Sequence, residues 1–77
     1  MVIRVRSYAF MRKYTAHLPN DGELSILPES TVGDVLLHLR VPRESKKILL
    51  VNGRPARPDR VLQPGDLLVF YPVLEGG

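Results

Sequence analysis

The sequence has no cysteine and no long hydrophobic run. Without cysteine there is no disulfide framework, no thiolate zinc site and no cysteine nucleophile. No apolar stretch approaches the roughly 18 residues that a membrane-spanning helix needs. The N-terminal MVIRVRSYAF alternates arginine with apolar residues, which excludes a signal peptide. We therefore expect a cytoplasmic protein with no membrane partner.

Charge of one sign is only slightly in excess. Eleven Lys and Arg stand against eight Asp and Glu, for a net charge of +3. A basic protein can bind nucleic acid, but these residues are spread along the chain, so we expect no nucleic-acid partner. Arg54, Arg57 and Arg60 recur every three residues in a proline-containing loop. They are predicted to form a solvated surface, with a docking patch for an acidic partner as the alternative.

Four segments have the pattern of β-strands. Residues 2–6 and 23–27 alternate apolar and polar side chains, as in half-buried strands. Residues 48–51 form a continuous apolar run, which is typical of a strand covered on both faces. Residues 67–73 form the last strand, after a Pro-Gly turn. Residues 54–60 contain two prolines and are predicted to be irregular.

One segment has helical spacing instead. Its apolar residues recur at i, i+3, i+4 and i+7: Val32, Val35, Leu36 and Leu39. Ser30 or Thr31 can cap the N-terminus, and Asp34 stands three residues after Thr31, as in a capping box. Pro42 is expected to stop the helix.

The order strand, strand, helix, strand, strand predicts an α+β domain. One helix would pack across one face of a four-stranded mixed sheet. The helix supplies the crossover that a parallel pair requires, so the first and last strands are expected to be the parallel central pair. This is the ubiquitin-like β-grasp arrangement, ββαββ. Residues 1–73 are predicted to form the domain and residues 74–77 a flexible tail.

Gly76 and Gly77 end the sequence, and no cap or turn explains them. A terminal glycine often means only a frayed end. These two, however, follow directly on a strong strand, and without side chains they could thread a narrow enzyme channel. We expect Gly77 to offer an α-carboxylate that ATP can activate by adenylation. A sulfur nucleophile would then displace AMP and leave a thiocarboxylate.

The chain itself has no phosphate-binding glycine loop and no clustered metal ligands. His17 and His38 have no ligand partners at suitable spacing, and Asp66 is expected to shape a turn rather than act as a base. We therefore expect a carrier that binds no cofactor, with catalysis and ATP use left to partner enzymes.

The motifs together resemble the MoaD/ThiS family of ubiquitin-like sulfur carriers. The matching elements are Val51-Asn52-Gly53, Leu62-x-x-Gly65-Asp66 and the apolar strand that leads to Gly76-Gly77. Residues 31–39 resemble the family's helix, and residues 3–14 resemble its first strand and loop. The similarity spans nearly the whole chain.

The resemblance implies a β-grasp fold and activation by an adenylyltransferase of the ubiquitin-activating type. In the MoaD branch the carrier is the small subunit of molybdopterin synthase, with its tail in the large subunit. In the ThiS branch it supplies thiazole synthase for thiamin. Length and the Phe70–Val73 segment favour MoaD, although MoaD proteins commonly carry a second proline where Val73 stands. Other members modify proteins or serve tRNA thiolation or tungsten enzymes.

Residues beside the reactive end are predicted to contact these enzymes: Tyr71, Pro72, Val73, Leu74 and Glu75. The alternative is that the first four only finish the strand and close the core, and that Glu75 only keeps the tail soluble. Two further functions stay open, a protein modifier joined to lysines through Gly77 and a non-covalent β-grasp interaction module.

Overall fold

The computed structural model describes residues 1–73. Its elements are β1 (Val2–Ser7), a 3-10 helix (Ala9–Tyr14), β2 (Glu23–Ser25), α1 (Val32–His38), β3 (Lys47–Val51), β4 (Arg54–Pro55) and β5 (Leu67–Pro72). The predicted tail, residues 74–77, lies outside the described residues, so the domain boundary at residue 73 stays a prediction.

The strands form one mixed sheet in the order β2-β1-β5-β3-β4. β1 and β5 are parallel and adjacent at its centre, and the other pairs are antiparallel. This confirms the predicted β-grasp arrangement and its central pair. The first and last strands of the chain therefore stabilise each other through backbone hydrogen bonds.

The predicted count of four strands was wrong, because the described chain forms five. β4 lies in the segment expected to be irregular, where Pro55 pairs with Leu50 and Arg54 with Val51. Proline is tolerated in this position because β4 is an edge strand, whose outer side needs no backbone donor. The turn before it uses the positive φ angles of Asn52 (51°) and Gly53 (82°).

Helix α1 begins as its sequence indicates. Thr31 Oγ1 accepts from the Asp34 N–H at 3.1 Å, and Asp34 Oδ2 accepts from the Thr31 N–H at 2.9 Å, which completes the capping box. The helix ends in a Schellman motif, in which Arg40 has φ 64° and the Val41 N–H donates to the Leu36 carbonyl. Pro42 follows and prevents continuation.

The core lies between α1 and one face of the sheet. It consists of Ile3, Val5, Met11, Val32, Val35, Leu36, Leu39, Val41, Val51, Leu62, Leu68 and Phe70. Met11 belongs to the 3-10 helix, which the sequence did not indicate, and is only 1% exposed. β2 ends two residues earlier than expected, and the following Leu27 is 78% exposed.

The prediction that β3 is covered on both faces was wrong. Ile48 is 37% exposed, and Leu50 is half-buried on the same side of the strand. The continuous apolar run arises because β3 places apolar residues on the open face of the sheet as well as toward the core. That open face lies beside the end of β5.

Candidate functional site

The candidate site is the C-terminal end of β5, from which the predicted tail departs. Side chains of β5 alternate, with Leu68, Phe70 and Pro72 buried on the helix side. Leu67, Val69 and Tyr71 are half-buried on the opposite face. Neighbouring strands pair with β5 on both sides, so β5 is fixed in the centre of the sheet.

Pro72 changes how the end of β5 is held. Because proline has no N–H, it cannot extend the ladder to β1, where the Tyr8 N–H donates to the Phe70 carbonyl at 3.3 Å. The next residue is held from the other side, since the Val73 N–H donates to the Lys46 carbonyl at 3.1 Å. The loop that precedes β3 therefore anchors the base of the tail.

Exposed apolar side chains surround this departure point. Phe10 is 66% exposed, Val73 41% and Tyr8 48%. Phe10 and Val73 line one shallow depression together with Met11, Ser45 and Lys46. Ala9, with φ 54°, turns the chain between Tyr8 and Phe10. Phe10 is not among the predicted contact residues. The alternation of β1 breaks after Ser7 in the sequence, and this break is a signal that could have pointed to it.

The open face of the sheet adds a second apolar area near the end of β5. Val69 and Tyr71 of β5 pair with Leu50 and Ile48 of β3 and share this face with them. On the other side of β5, Arg6 is in register with Val69. The result is an apolar stripe with an arginine border, and Tyr71 lies within it.

The opposite end of β5 is closed by hydrogen bonds. Asp66, 8% exposed, accepts from Asn52 Nδ2 at 2.9 Å and from the Gln63 N–H at 2.8 Å. Asn52 Oδ1 in turn accepts from the Leu67 N–H at 2.9 Å. This confirms that Asp66 shapes the turn before the last strand. Gly65 has φ 83°, as the third position of a type II turn requires.

The predicted partner-contact residues lie in environments that differ from one another. Tyr71 is half-buried on the open face, Pro72 is buried toward the core, and Val73 is exposed at the departure point. Leu74, Glu75, Gly76 and Gly77 lie outside the described residues. The contact role of all these residues stays a prediction.

The arginine loop packs against the start of α1. The carbonyls of Pro58 and Arg60 accept from the Gly33 and Val32 N–H groups at 2.8 and 2.9 Å. The side chains of Arg54, Arg57 and Arg60 are exposed. A solvated surface and a docking patch both agree with this placement, so the docking role stays a prediction.

Metal-binding geometry is absent from residues 1–73, where no three His, Asp or Glu side chains come close enough to hold an ion. His17 and His38 are both exposed. Within the same residues, no helix has the length and apolar character needed to cross a membrane.

The fold is shared with known small proteins. Over 100% of both chains, it matches SAMP1 from Haloferax volcanii with a TM-score of 0.77 and 21% identity. A putative molybdopterin converting factor subunit 1 from Pyrococcus furiosus matches 96% of this chain and 99% of its own, with a TM-score of 0.75 and 19% identity. A second structure of the H. volcanii protein, described as small archaeal modifier protein 1, has a TM-score of 0.75, 19% identity and coverage of 95% and 98%.

No curated protein matches the sequence significantly. The family model described as Mut7-C ubiquitin matches residues 1–76, nearly the whole chain. With the molybdopterin converting factor neighbour, this match supports the resemblance to MoaD/ThiS-type ubiquitin-like proteins. The chain belongs to the Mut7-C ubiquitin family.

Proposed function

We propose that the chain is a sulfur carrier whose Gly77 carboxylate is adenylated and converted to a thiocarboxylate. The observation that carries this proposal is the position of Gly76-Gly77 just beyond the central strand β5, whose end is anchored through Val73. A rigid base and a side-chain-free end suit delivery of a carboxylate into an enzyme channel.

The chemistry needs two steps that involve the Gly77 carboxyl group, the first at the α-phosphorus of ATP and the second at the carboxyl carbon. A Gly77 carboxylate oxygen attacks the α-phosphate of ATP, and pyrophosphate leaves. Hydrosulfide, delivered by the sulfur donor, then attacks the activated carbonyl carbon, and AMP leaves with the bonding electrons. Loss of the thiol proton gives the thiocarboxylate without any change of oxidation state. The chain is the substrate in both steps, and an adenylyltransferase of the ubiquitin-activating type performs them.

Two apolar surfaces of the domain would bind the partner enzymes. The apolar stripe that contains Tyr71 and Val69 lies on the open face of the sheet, and Phe10 and Val73 are exposed at the departure point. Aromatic residues exposed in this way are common anchors of protein interfaces. The same surfaces would meet the adenylyltransferase and then the enzyme that accepts sulfur, a molybdopterin synthase large subunit or a thiazole synthase.

The proposal is tested by reconstitution. The purified chain is incubated with the host's adenylyltransferase, ATP and a sulfur donor, and the intact mass is measured. We expect the mass to increase by the difference between sulfur and oxygen, and we expect this increase only in the peptide that contains Gly77. An unchanged mass, while a known carrier reacts under the same conditions, would remove the proposal. Deleting Gly76 and Gly77 is the control and should abolish the gain.

A second candidate is a ubiquitin-like protein modifier. It is favoured by the fold shared with a protein described as a small archaeal modifier. A modifier would use the same adenylated Gly77 but transfer it to a lysine amine, forming an isopeptide bond. Lysine-linked Gly77 remnants on other proteins of the host would support the modifier, and thiocarboxylate without such remnants would support the carrier.

If deletion of Gly76 and Gly77 leaves the protein's function in the host intact, neither carrier nor modifier is correct. That result would favour the non-covalent interaction module, and the open face of the sheet would then be the surface to test.

A further inference from the structure

Lys47 occupies an unusual position for a lysine at the start of a strand. Its Nζ is 2.7 Å from the Ser45 carbonyl, 3.1 Å from Ser45 Oγ and 3.2 Å from the Pro42 carbonyl. An ammonium group has three N–H donors, so these three acceptors match its full donor capacity. The side chain folds back over the loop that precedes its own strand.

The loop held in this way is already a tight turn. Ser45 Oγ donates to the Pro42 carbonyl at 2.6 Å, and the Ser45 N–H donates to the same oxygen at 3.2 Å. The Pro42 carbonyl thus accepts from Ser45 and from Lys47 together. Partial burial lowers the pKa of the Lys47 ammonium, and the nearby Glu44 carboxylate raises it by less. The charge is therefore placed at some solvation cost, which is offset by hydrogen bonds to the loop.

The loop leads directly to the base of the tail. Lys46 lies between the turn and Lys47, and its carbonyl accepts the Val73 N–H at 3.1 Å. On the other side of β5 the ladder to β1 cannot continue, because Pro72 has no N–H. Val73 is thus positioned through the 42–46 loop, and the loop is held by the Lys47 ammonium.

We infer that Lys47 is a positioning residue that sets the direction in which the tail leaves the domain, acting through the 42–46 loop and the Lys46 carbonyl. This inference rests on the proposed function, because direction matters when the Gly77 carboxylate must reach an enzyme's reacting atoms. A displacement of about 1 Å can reduce an enzymatic rate by up to about a hundredfold.

The first test measures the anchor without any partner enzyme. Amide hydrogen exchange is followed by NMR in the wild type, in Lys47→Met, which keeps the apolar stem but removes the donors, and in Lys47→Arg. We expect the Val73 amide to exchange at least about tenfold faster in Lys47→Met, with Leu68 and Phe70 unchanged and an intermediate value in Lys47→Arg. Unchanged exchange at Val73, or equal acceleration at all three amides, would overturn the inference.

The matched control is Arg43→Met. Arg43 lines the same groove as Lys47 and Val73 and carries the same charge, but it is exposed. Its substitution should leave the exchange of the Val73 amide at the wild-type rate. If Arg43→Met accelerates it as much as Lys47→Met does, the effect is one of net charge and the inference fails.

The second test measures the consequence for Gly77 adenylation. Lys47→Met should lower kcat about tenfold with little change in KM. Val73→Pro removes the donor through which Lys47 acts, so Lys47→Met should have no further effect on kcat in that background. An equal loss in both backgrounds would contradict the inference. If the wild type is not adenylated, the proposed function fails while the exchange result still decides the role of Lys47.

Discussion

The two ends of β5 are built in opposite ways. At its start, the buried Asp66 and the side chain of Asn52 share a closed set of hydrogen bonds with Gln63 and Leu67. At its end, Pro72 interrupts the ladder to β1, and exposed apolar side chains surround Val73. The first end has its polar groups satisfied, and the second leaves apolar surface uncovered.

Under the proposed function, this difference assigns stability to the start of β5 and partner recognition to its end. The hydrogen bonds that satisfy the buried Asp66 carboxylate fix the start of the strand in its register. Largely exposed aromatic groups add little to folding, and their exposed part loses water only when a partner covers it. Changes at the start of β5 should therefore affect the free energy of unfolding, and changes at its end should affect reactions with partners.

Asp66→Ala should give the largest effect on stability. It removes the acceptor of Asn52 Nδ2 and of the Gln63 N–H, and we expect the free energy of unfolding to fall by about 2 kcal/mol. Urea denaturation measures it. Asp59→Ala removes an exposed carboxylate of the same charge and serves as the control, with an expected change within about 0.5 kcal/mol. If both variants lost the same free energy of unfolding, the hydrogen bonds of Asp66 would contribute no more than an exposed carboxylate does.

Asn52→Gly tests whether Asn52 and Asp66 stabilise the start of β5 as one network. Glycine keeps the positive φ of this position but loses both side-chain hydrogen bonds. In a double-mutant cycle with Asp66→Ala, we expect a coupling free energy of about 1 kcal/mol. Urea denaturation of the four proteins measures the coupling. Additivity within about 0.3 kcal/mol would contradict a shared network.

Phe10→Ser tests the open end. Because Phe10 is 66% exposed, we expect the free energy of unfolding to change by less than about 0.5 kcal/mol. The kcat/KM for Gly77 adenylation should fall about tenfold if Phe10 anchors the partner. Leu37 is 67% exposed on α1, so Leu37→Ser removes a similarly exposed apolar group elsewhere and should leave kcat/KM unchanged. A loss of kcat/KM in both variants would indicate a general effect of surface polarity.

Arg40→Gly should give the smallest effect. Arg40 has φ 64° at the end of α1, a conformation that glycine adopts more readily. We expect thermal unfolding to show a gain of about 0.5 kcal/mol in stability, with Gly77 adenylation unchanged. Altered adenylation would mean that the end of α1 also belongs to the site.

The features that depend on residues close together in the sequence could be predicted. The capping box of Thr31 and Asp34, the turn at Gly65 and the crossover helix each follow from residues close in sequence. The parallel pairing of β1 with β5 followed because a chain with one helical crossover has few alternatives.

The sequence could not predict features that depend on long-range packing. β4 can contain Pro55 because it lies at the edge of the sheet, and a sequence does not show which strand will be an edge. The open face of β3 has the same apolar pattern as a buried face. The role proposed for Phe10 depends on its position beside Val73, and the role proposed for Lys47 depends on a side chain that folds back over its own loop. The break in alternation after Ser7 only hints at Phe10, and no sequence pattern indicates Lys47.

The most direct test of the central claim is the mass of the C-terminal peptide of this protein isolated from its native host. The account predicts a peptide that ends at Gly77, with a fraction carrying sulfur in place of one carboxylate oxygen. A peptide that continues past Gly77, or one that ends there and never carries sulfur under conditions where the host's other carriers do, would contradict it.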